Sequence, residues 1–334
     1  MSDARRARAN VRYRGRIHHV MDFSYTDNYD KTDDMSVQFS DRDERWLNEW
    51  FPDTGETLDV EIEVLNWNSR GDNRTLSLGT FEIDNPRHSS TMSMNGVAAP
   101  VTSSARSEKK NRSWKKISLS GIAGDISGTA GLALVYDTDV DPFYDVADQN
   151  DKSDLEFLEE LCKSDGLCMK VTNCQLIVFE EAKYEAEPAV VTIEKGRTNI
   201  IGDPDFNRNA KDIYKACEIS YFCPKTDETY IGYFAVPNAP DVGHTLRLRG
   251  NYNAESDDIN LDRKARARAR EKNKYEWTCR ITLNGDITYF TGTNVEFVGW
   301  GRFDGKYHID VVAYSNSSSG FDVTLTLHRC LEGY

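Results

Sequence analysis

The chain has 334 residues, 39% of them hydrophobic and 11% aromatic. At about 100–200 residues per domain this makes two or three domains with real cores. A net charge of −14 excludes a nucleic-acid coat, which needs Lys and Arg to displace phosphate counterions, and fits a soluble surface or a channel wall that DNA passes without sticking.

Residues 1–10 read as a flexible basic arm. Met1 to Arg16 carries no apolar h-region, so no signal peptide is expected. Strand signals follow at Val11 to His18, Met35 to Phe39, Leu58 to Leu65, Leu76 to Ile83 and Met92 to Val97. Leu58, Val60, Ile62 and Val64 alternate with Asp59, Glu61 and Glu63, the period of a strand with one face buried. Beyond residue 104 the texture changes. Ala105 to Ser113 is polar and basic. Leu119, Ile122, Ala123, Ile126 and Ala130 then fall at helical spacing behind Ser118 as a cap. Ser153 and Glu156 form a capping box for a second helix, with Leu155, Leu158, Leu161 and Cys162 as its buried stripe and Gly166 beyond its end. Leu167 to Val171 and Gln175 to Phe179 make a hairpin around Asn173, and Glu180 to Pro188 reads as an acidic connector.

From Val190 strands return: Val190 to Ile193, Ala216 to Phe222, Tyr230 to Ala235, His244 to Gly250 and Trp277 to Leu283. One Ala- and Arg-rich helix, Asp262 to Lys274, interrupts them, with Asp257 and Asp258 suited to its N-terminal end. Asn284-Gly285-Asp286 predicts a hairpin turn into a strand Ile287 to Phe290, followed by Val295 to Val298. Asp304-Gly305 marks a second hairpin. Tyr307 to Tyr314 and Phe321 to Leu327 close the chain across the polar loop Ser315 to Gly320.

Four stretches carry a resemblance. Asp34-Met35-Ser36-Val37 with Asp41, Trp46, Trp50, Phe51, Pro52 and Gly55 is the first. Gly79 to Asp84, Ala99 to Ser104 and Trp114 to Ile122 form the second. Ser153 to Leu158 with Leu161 and Gly166 is the third, and Gly292, Val295, Gly305-Lys306-Tyr307 and Leu325 the fourth. In their order and spacing the chain resembles the hub proteins of contractile phage tails, the late control D family, in the variety found in defective prophages and phage-tail-like bacteriocins. The arginine run within Ser256 to Asn273 departs from that family.

The resemblance implies a β-rich α+β fold: two tail-tube-like antiparallel β-barrel domains, 11–104 and 186–334, with a small α/β insertion, 105–185, between them and one helix at about 260–274 in the second. It implies a structural protein without enzyme activity or cofactor, made in the bacterial cytoplasm and assembled into a virion or phage-tail-like particle. A homotrimer would present six barrels as a ring between the sixfold tail tube and the threefold tail spike, beside other baseplate proteins. DNA would pass its lumen without specific binding, and no membrane is implied.

The candidate sites are weak. Arg263, Arg266, Arg270 and Lys274 share one helix face and form a candidate partner contact, since arginine's planar fork suits carboxylates; the alternative is an exposed face whose stems cover apolar surface. Asp137, Asp139 and Asp141 resemble the start of a calcium loop, but Pro142 stands where the turn needs Gly and Asp148 where a bidentate Glu belongs, so 137–154 reads as a solvated acidic loop. Gly301 to Lys306 has the wrong spacing for a phosphate loop, and Arg70-Gly71-Asp72 is a turn. His18, His19, His88, His244, His308 and His328 show no metal spacing, and the seven cysteines, never in Cys-x-x-Cys, read as reduced thiols. Two further functions compete with the hub: a tail-associated peptidoglycan hydrolase, which needs paired carboxylates or a zinc cluster in a cleft, and a carbohydrate-binding attachment module using the 6 Trp and 16 Tyr.

Overall fold

A computed structural model describes residues 4–18, 20–98, 104–211, 213–224, 226–237, 239, 243–250 and 260–334. His19, residues 99–103 and Asp257 and Asp258 lie outside the described residues.

The first array contains β1 (Arg6–Tyr13), β2 (Arg16–His18), β3 (Val20–Asn28), β4 (Asp34–Ser40), β5 (Thr57–Leu65), β6 (Arg74–His88) and β7 (Thr91–Val97). Their order is β3-β4-β7-β6-β5-β1-β2, antiparallel throughout. β2 directly precedes β3 in the chain, so the two ends of this order are tied together, and the strands share one apolar core. The expected arm is corrected here. Arg6 to Asn10 is the first half of β1, with Ala7 opposite Val64 and Ala9 opposite Ile62. Ala9 turns into the core, while Arg8 pairs Glu63 at 2.5 Å and Asn10 bonds Glu61 at 2.9 Å. Cross-strand charge partners hold a segment whose small side chains gave no apolar signal.

The insertion runs α1 (Ser104–Ser107), β8 (Lys110–Ser118), α2 (Leu119–Ala130), β9 (Ala133–Asp137), β10 (Phe143–Lys152), α3 (Asp154–Ser164), β11 (Cys168–Thr172), β12 (Gln175–Phe179) and α4 (Glu181–Ala186). Ser118 caps α2 and the Ser153–Glu156 box caps α3, as the spacing predicts. Both helices bury their apolar stripes in one cluster with β11 and β12. The acidic stretch is not a loop throughout. Residues 143–152 form β10, paired with the basic β8 so that Gln149 lies opposite Arg112 and Val146 opposite Lys115. Polar and apolar side chains are mixed along both strands, with Gln149 Oε1 accepting from Arg112 Nε at 2.8 Å, so neither shows the strict apolar alternation that sequence reading looks for. The acidic connector is helical too, as α4.

The last part comprises β13 (Ala189–Glu194), β14 (Ile200–Arg208), β15 (Tyr214–Cys223), β16 (Glu228–Ala235), β17 (His244–Gly250), α5 (Leu261–Asn273), β18 (Trp277–Asn284), β19 (Asn294–Val298), β20 (Gly305–Ser317) and β21 (Gly320–Arg329). The second array has the order β13-β19-β20-β21-β18-β14. β15, β16 and β17 do not join it. They form a separate sheet, β16-β15-β17, whose one face packs on α5 through Cys217, Ile219, Ala265 and Ala269. The turn at Asn284-Gly285-Asp286 is also corrected: β18 pairs β14 and β21, and Ile287 to Phe290 is irregular chain with Ile287 and Tyr289 buried. Gly285 is needed for close approach, since a Cβ there would stand 2.4 Å from the Phe321 ring.

The two arrays meet edge to edge. Val311 to Asn316 of β20 pairs antiparallel with Phe23 to Asn28 of β3. This makes one 13-stranded sheet over one apolar core that includes Phe39, Ile62, Met94, Val312 and Leu325. The two barrel walls expected from the sequence are therefore two halves of a joined structure.

Candidate functional site

Four elements bring buried charge together at the second array. α4 presents Glu181 and Glu185 one turn apart, α5 presents Arg270 and Lys274 one turn apart, and β20 and β21 contribute Asp310 and His328. Arg270 Nη2 donates to Glu181 Oε2 at 3.2 Å and also to Glu185; Lys274 Nζ lies 2.5 Å from Glu181 Oε1 and 3.2 Å from Asp310 Oδ1. His328 bridges Glu185 at 2.7 Å through Nε2 and Asp310 at 2.8 Å through Nδ1. Three carboxylates face three cations, so the charges balance where water cannot screen them.

The electrostatics follow from that geometry. Burial alone would lower the His328 pKa, but the Asp310 charge and hydrogen bonds to Asp310 and Glu185 outweigh it and raise it to about 9. Burial opposes ionisation of Glu181, yet Lys274, His328 and Arg270 pull it down to about 2. Neighbouring His308 goes the other way: burial and the His328 charge lower it to about 4, leaving it neutral to bond Asn294 at 2.7 Å through Nδ1. Asn294 Nδ2 in turn donates to the carbonyls of Tyr184 at 2.8 Å and Glu187 at 2.7 Å, fixing the end of α4. Glu181, Glu185 and His328 offer ligand atoms within 4.8 Å of one another. They do not fit a metal ion: Arg270 and Lys274 occupy the cation positions, and a protonated His328 has no lone pair to give.

This placement bears on the expected partner contact. Arg270 and Lys274 are buried, and the acidic surface they grip belongs to this chain. Arg263 reaches Asp165 at 2.6 Å beside Lys264 at 2.8 Å, tying α5 to the end of α3. Arg266 alone of the four is exposed. The sequence signal for the missed half was present: Glu181 and Glu185 repeat the four-residue spacing of Arg270 and Lys274. His328 and Asp310 gave no comparable signal, being inward positions of strands that read as ordinary core.

A hydrolase would be sought in the cavity of about 750 Å³ between β3, the β11–β12 hairpin and residues 290–294, where Asp27 and Asp33 converge with Lys170. Both oxygens of the Asp27 and of the Asp33 carboxylate are committed. Asp27 accepts from Thr291 N at 3.0 Å, Thr291 Oγ1 at 2.7 Å and Lys170; Asp33 accepts from Asn28 N at 3.0 Å and Tyr25 Oη at 3.1 Å and pairs Lys170 at 3.2 Å. A catalytic acid or nucleophile needs a free oxygen facing substrate, so the arrangement braces three segments together. The calcium-like carboxylates also diverge: Asp137 bonds Lys183 and Tyr184, while Asp141 accepts from Ser120 N at 2.9 Å at the start of α2. Gly301–Phe303 is a single 3-10 turn, and Asp72 pairs Arg74 at 3.1 Å beside its turn.

No family model and no curated protein matches the sequence. Solved structures do match the fold. The tail protein from Neisseria meningitidis MC58 superimposes with a TM-score of 0.70 at 15% identity, over 97% of this chain and 96% of that one. The prophage MuSo2 43 kDa tail protein from Shewanella oneidensis gives 0.67 at 11%, over 96% and 98%. The E. coli c3393 protein, described as a type VI secretion component similar in structure to the T4 tail proteins gp27 and gp5, gives 0.64 at 12%, over 97% and 78%. At such identities the likeness speaks for architecture, and over nearly its whole length this chain has the fold of these tail proteins.

Proposed function

We infer that the chain is the baseplate hub of a contractile tail or related injection particle. Three copies would form a pseudo-sixfold ring joining the tail tube to the central spike, beside other baseplate proteins. In this reading residues 11–104, extended back to Arg6, and the array of β13, β14 and β18–β21 are the two tube-like units of each protomer, and 105–185 is the insertion.

The carrying observation is the in-register pairing of β20 with β3, which sets two barrel walls edge to edge within one chain. In this reading the tube above makes the corresponding junction between subunits. Here half the junctions of a six-membered ring would be covalently guaranteed, and three copies would supply the rest by heterologous contact, which closes into rings. Exposed edge-strand residues such as Val190 on β13 and Ile201 on β14, with Arg266 on α5, are then surfaces left for partners.

Mass photometry of the full chain, alone and with its cognate spike, tests the reading. The expected result is a particle of three copies of the 38.0 kDa chain. Monomers under every condition, spike included, overturn it.

A further inference from the structure

The sheet β16-β15-β17 has two unlike faces. One packs on α5 through Cys217, Ile219, Ala265 and Ala269. The other holds large apolar side chains in the open: Ile231 is 62% exposed, Tyr233 53% and Phe222 52%. The register makes them one patch. Ile231 lies opposite Ser220 and Tyr233 opposite Glu218, while Phe222, two residues beyond Ser220 on β15, lies diagonal to Ile231. On the far side β17 sets Arg247 beside Glu218 and Arg249 beside Ser220, both arginines exposed. The solvated face of a sheet is ordinarily polar, and a contiguous apolar patch rimmed by charge marks a protein contact.

The layering excludes one source for that contact. Ala265 and Ala269 turn one side of α5 to the sheet, and its opposite side is fastened to the end of α3. There Arg263 and Lys264 both reach Asp165, and Gly166 gives room to Ala267, since a Cβ on Gly166 would stand 2.9 Å from the Ala267 Cβ. The patch, on the far side of the sheet from α5, therefore points away from the insertion of its own chain. That insertion carries its complement. In the turn from β9 to β10, Asp139 and Asp141 are exposed, and Phe143 at 64% is the most open large apolar side chain among the described residues. The turn has a fixed shape: Asp141 accepts from Ser120 N at 2.9 Å, and Tyr136 Oη donates to the Val140 carbonyl at 2.9 Å.

We propose that the β9–β10 turn of one copy seats on the β15–β17 face of a second copy, with Phe143 against Ile231 and Tyr233 and with Asp139 and Asp141 toward the arginines of β17. An acidic turn with an aromatic at its end meets an apolar patch with a basic rim, so the two surfaces match in charge and in hydrophobicity. Turn and seat are different surfaces of one chain, so the contact is heterologous and can close a ring. Neither belongs to the 13-stranded sheet, so the contact forms a belt separate from any strand pairing between the arrays. The inference rests on the hub reading and names a surface by which its copies hold one another.

Engineered cysteines test it in a Cys174→Ser background, since Cys174 is the exposed native thiol among the described residues. Mass photometry first establishes the trimer. Wild-type chains that stay monomeric under every condition, spike included, remove the hub reading and this inference with it. Chains carrying both Phe143→Cys and Ile231→Cys should give, on mild oxidation of the trimer, a reducible band of three linked chains. Chains carrying one of the two should crosslink only when both kinds are mixed before assembly. Trimers that form without crosslinking overturn the proposal and leave the hub reading standing; so does a crosslink closed within a single chain. Ile231→Asp should weaken the trimer about tenfold or more in a concentration series while keeping the circular dichroism of the wild type, because the side chain is exposed in the single copy. Tyr233→Ser serves as the second variant where the aspartate disturbs the fold. Unchanged trimer affinity in the folded variant overturns the proposal.

Discussion

Arg270 and His328 set the response of this protein to mutation and pH. Removing Arg270 leaves Glu181 and Glu185 buried with one fewer cation, so Arg270→Ala should lower stability by about 3–5 kcal/mol in urea titration. Arg270→Lys should recover only part of this, because an ammonium cannot reach both carboxylates with the geometry of a guanidinium. The pH dependence has a defined sign. His328 is raised from 6.5 to about 9, so its contribution is complete below pH 6.5 and is lost as pH rises through 9. Glu181 is lowered from 4.5 to about 2, so its contribution is complete above pH 4.5 and is lost as pH falls through 2. Thermal unfolding should therefore show greatest stability between pH 4.5 and 6.5 and a decline from neutral pH toward 9. In His328→Gln the alkaline decline should shrink; an unchanged slope would assign it to another group.

At the scale of elements, caps and close approaches decide. Ser153 accepts from Glu156 N and Glu156 reaches back to Ser153 N, so Ser153→Ala should cost about 1 kcal/mol, visible as earlier loss of amide protection in α3 than in the barrel strands. Gly285→Ala meets the Phe321 ring and carbonyl and should cost about 1–3 kcal/mol by forcing β18 and β21 apart. α2 and α3 were legible because cap and apolar stripe fall at fixed spacing, with Gly166 marking the end of α3. β8 and β10 were not: they pair across segments some 30 residues apart, and neither carries a strict apolar alternation that would reveal it alone. α4 was hidden for a related reason. It is a short helix stabilised by partners on α5 and β21 more than by propensity.

At the scale of the whole molecule, one apolar core spans both arrays. Tyr25 and Tyr314 lie opposite each other across the β3–β20 junction with ring centroids 6.1 Å apart. Tyr314→Ala should cost about 3–5 kcal/mol. Hydrogen exchange should then show accelerated opening in β4 and β21 alike, because a shared core couples them; acceleration confined to the β20 side would mean the two halves open independently. The insertion and the β15–β17 sheet have separate apolar clusters and should respond less.

The sequence by itself determined the β-rich character, the two stretches of barrel strands, the capped helices and the order in which they come, because strand period and cap spacing are local and each residue's signal lies within a few positions. Tertiary structure alone decided which strands neighbour which, that β15–β17 leave the barrel, that Asn284-Gly285 is a close approach and not a hairpin, and that the arginine helix spends its charge on α3, α4 and β20. Those outcomes depend on partners outside the local stretch, such as Phe321 at Gly285, Arg270 on Glu185 or Ser24 on Ser315, and pairing energy between separate segments leaves no periodic trace in either one.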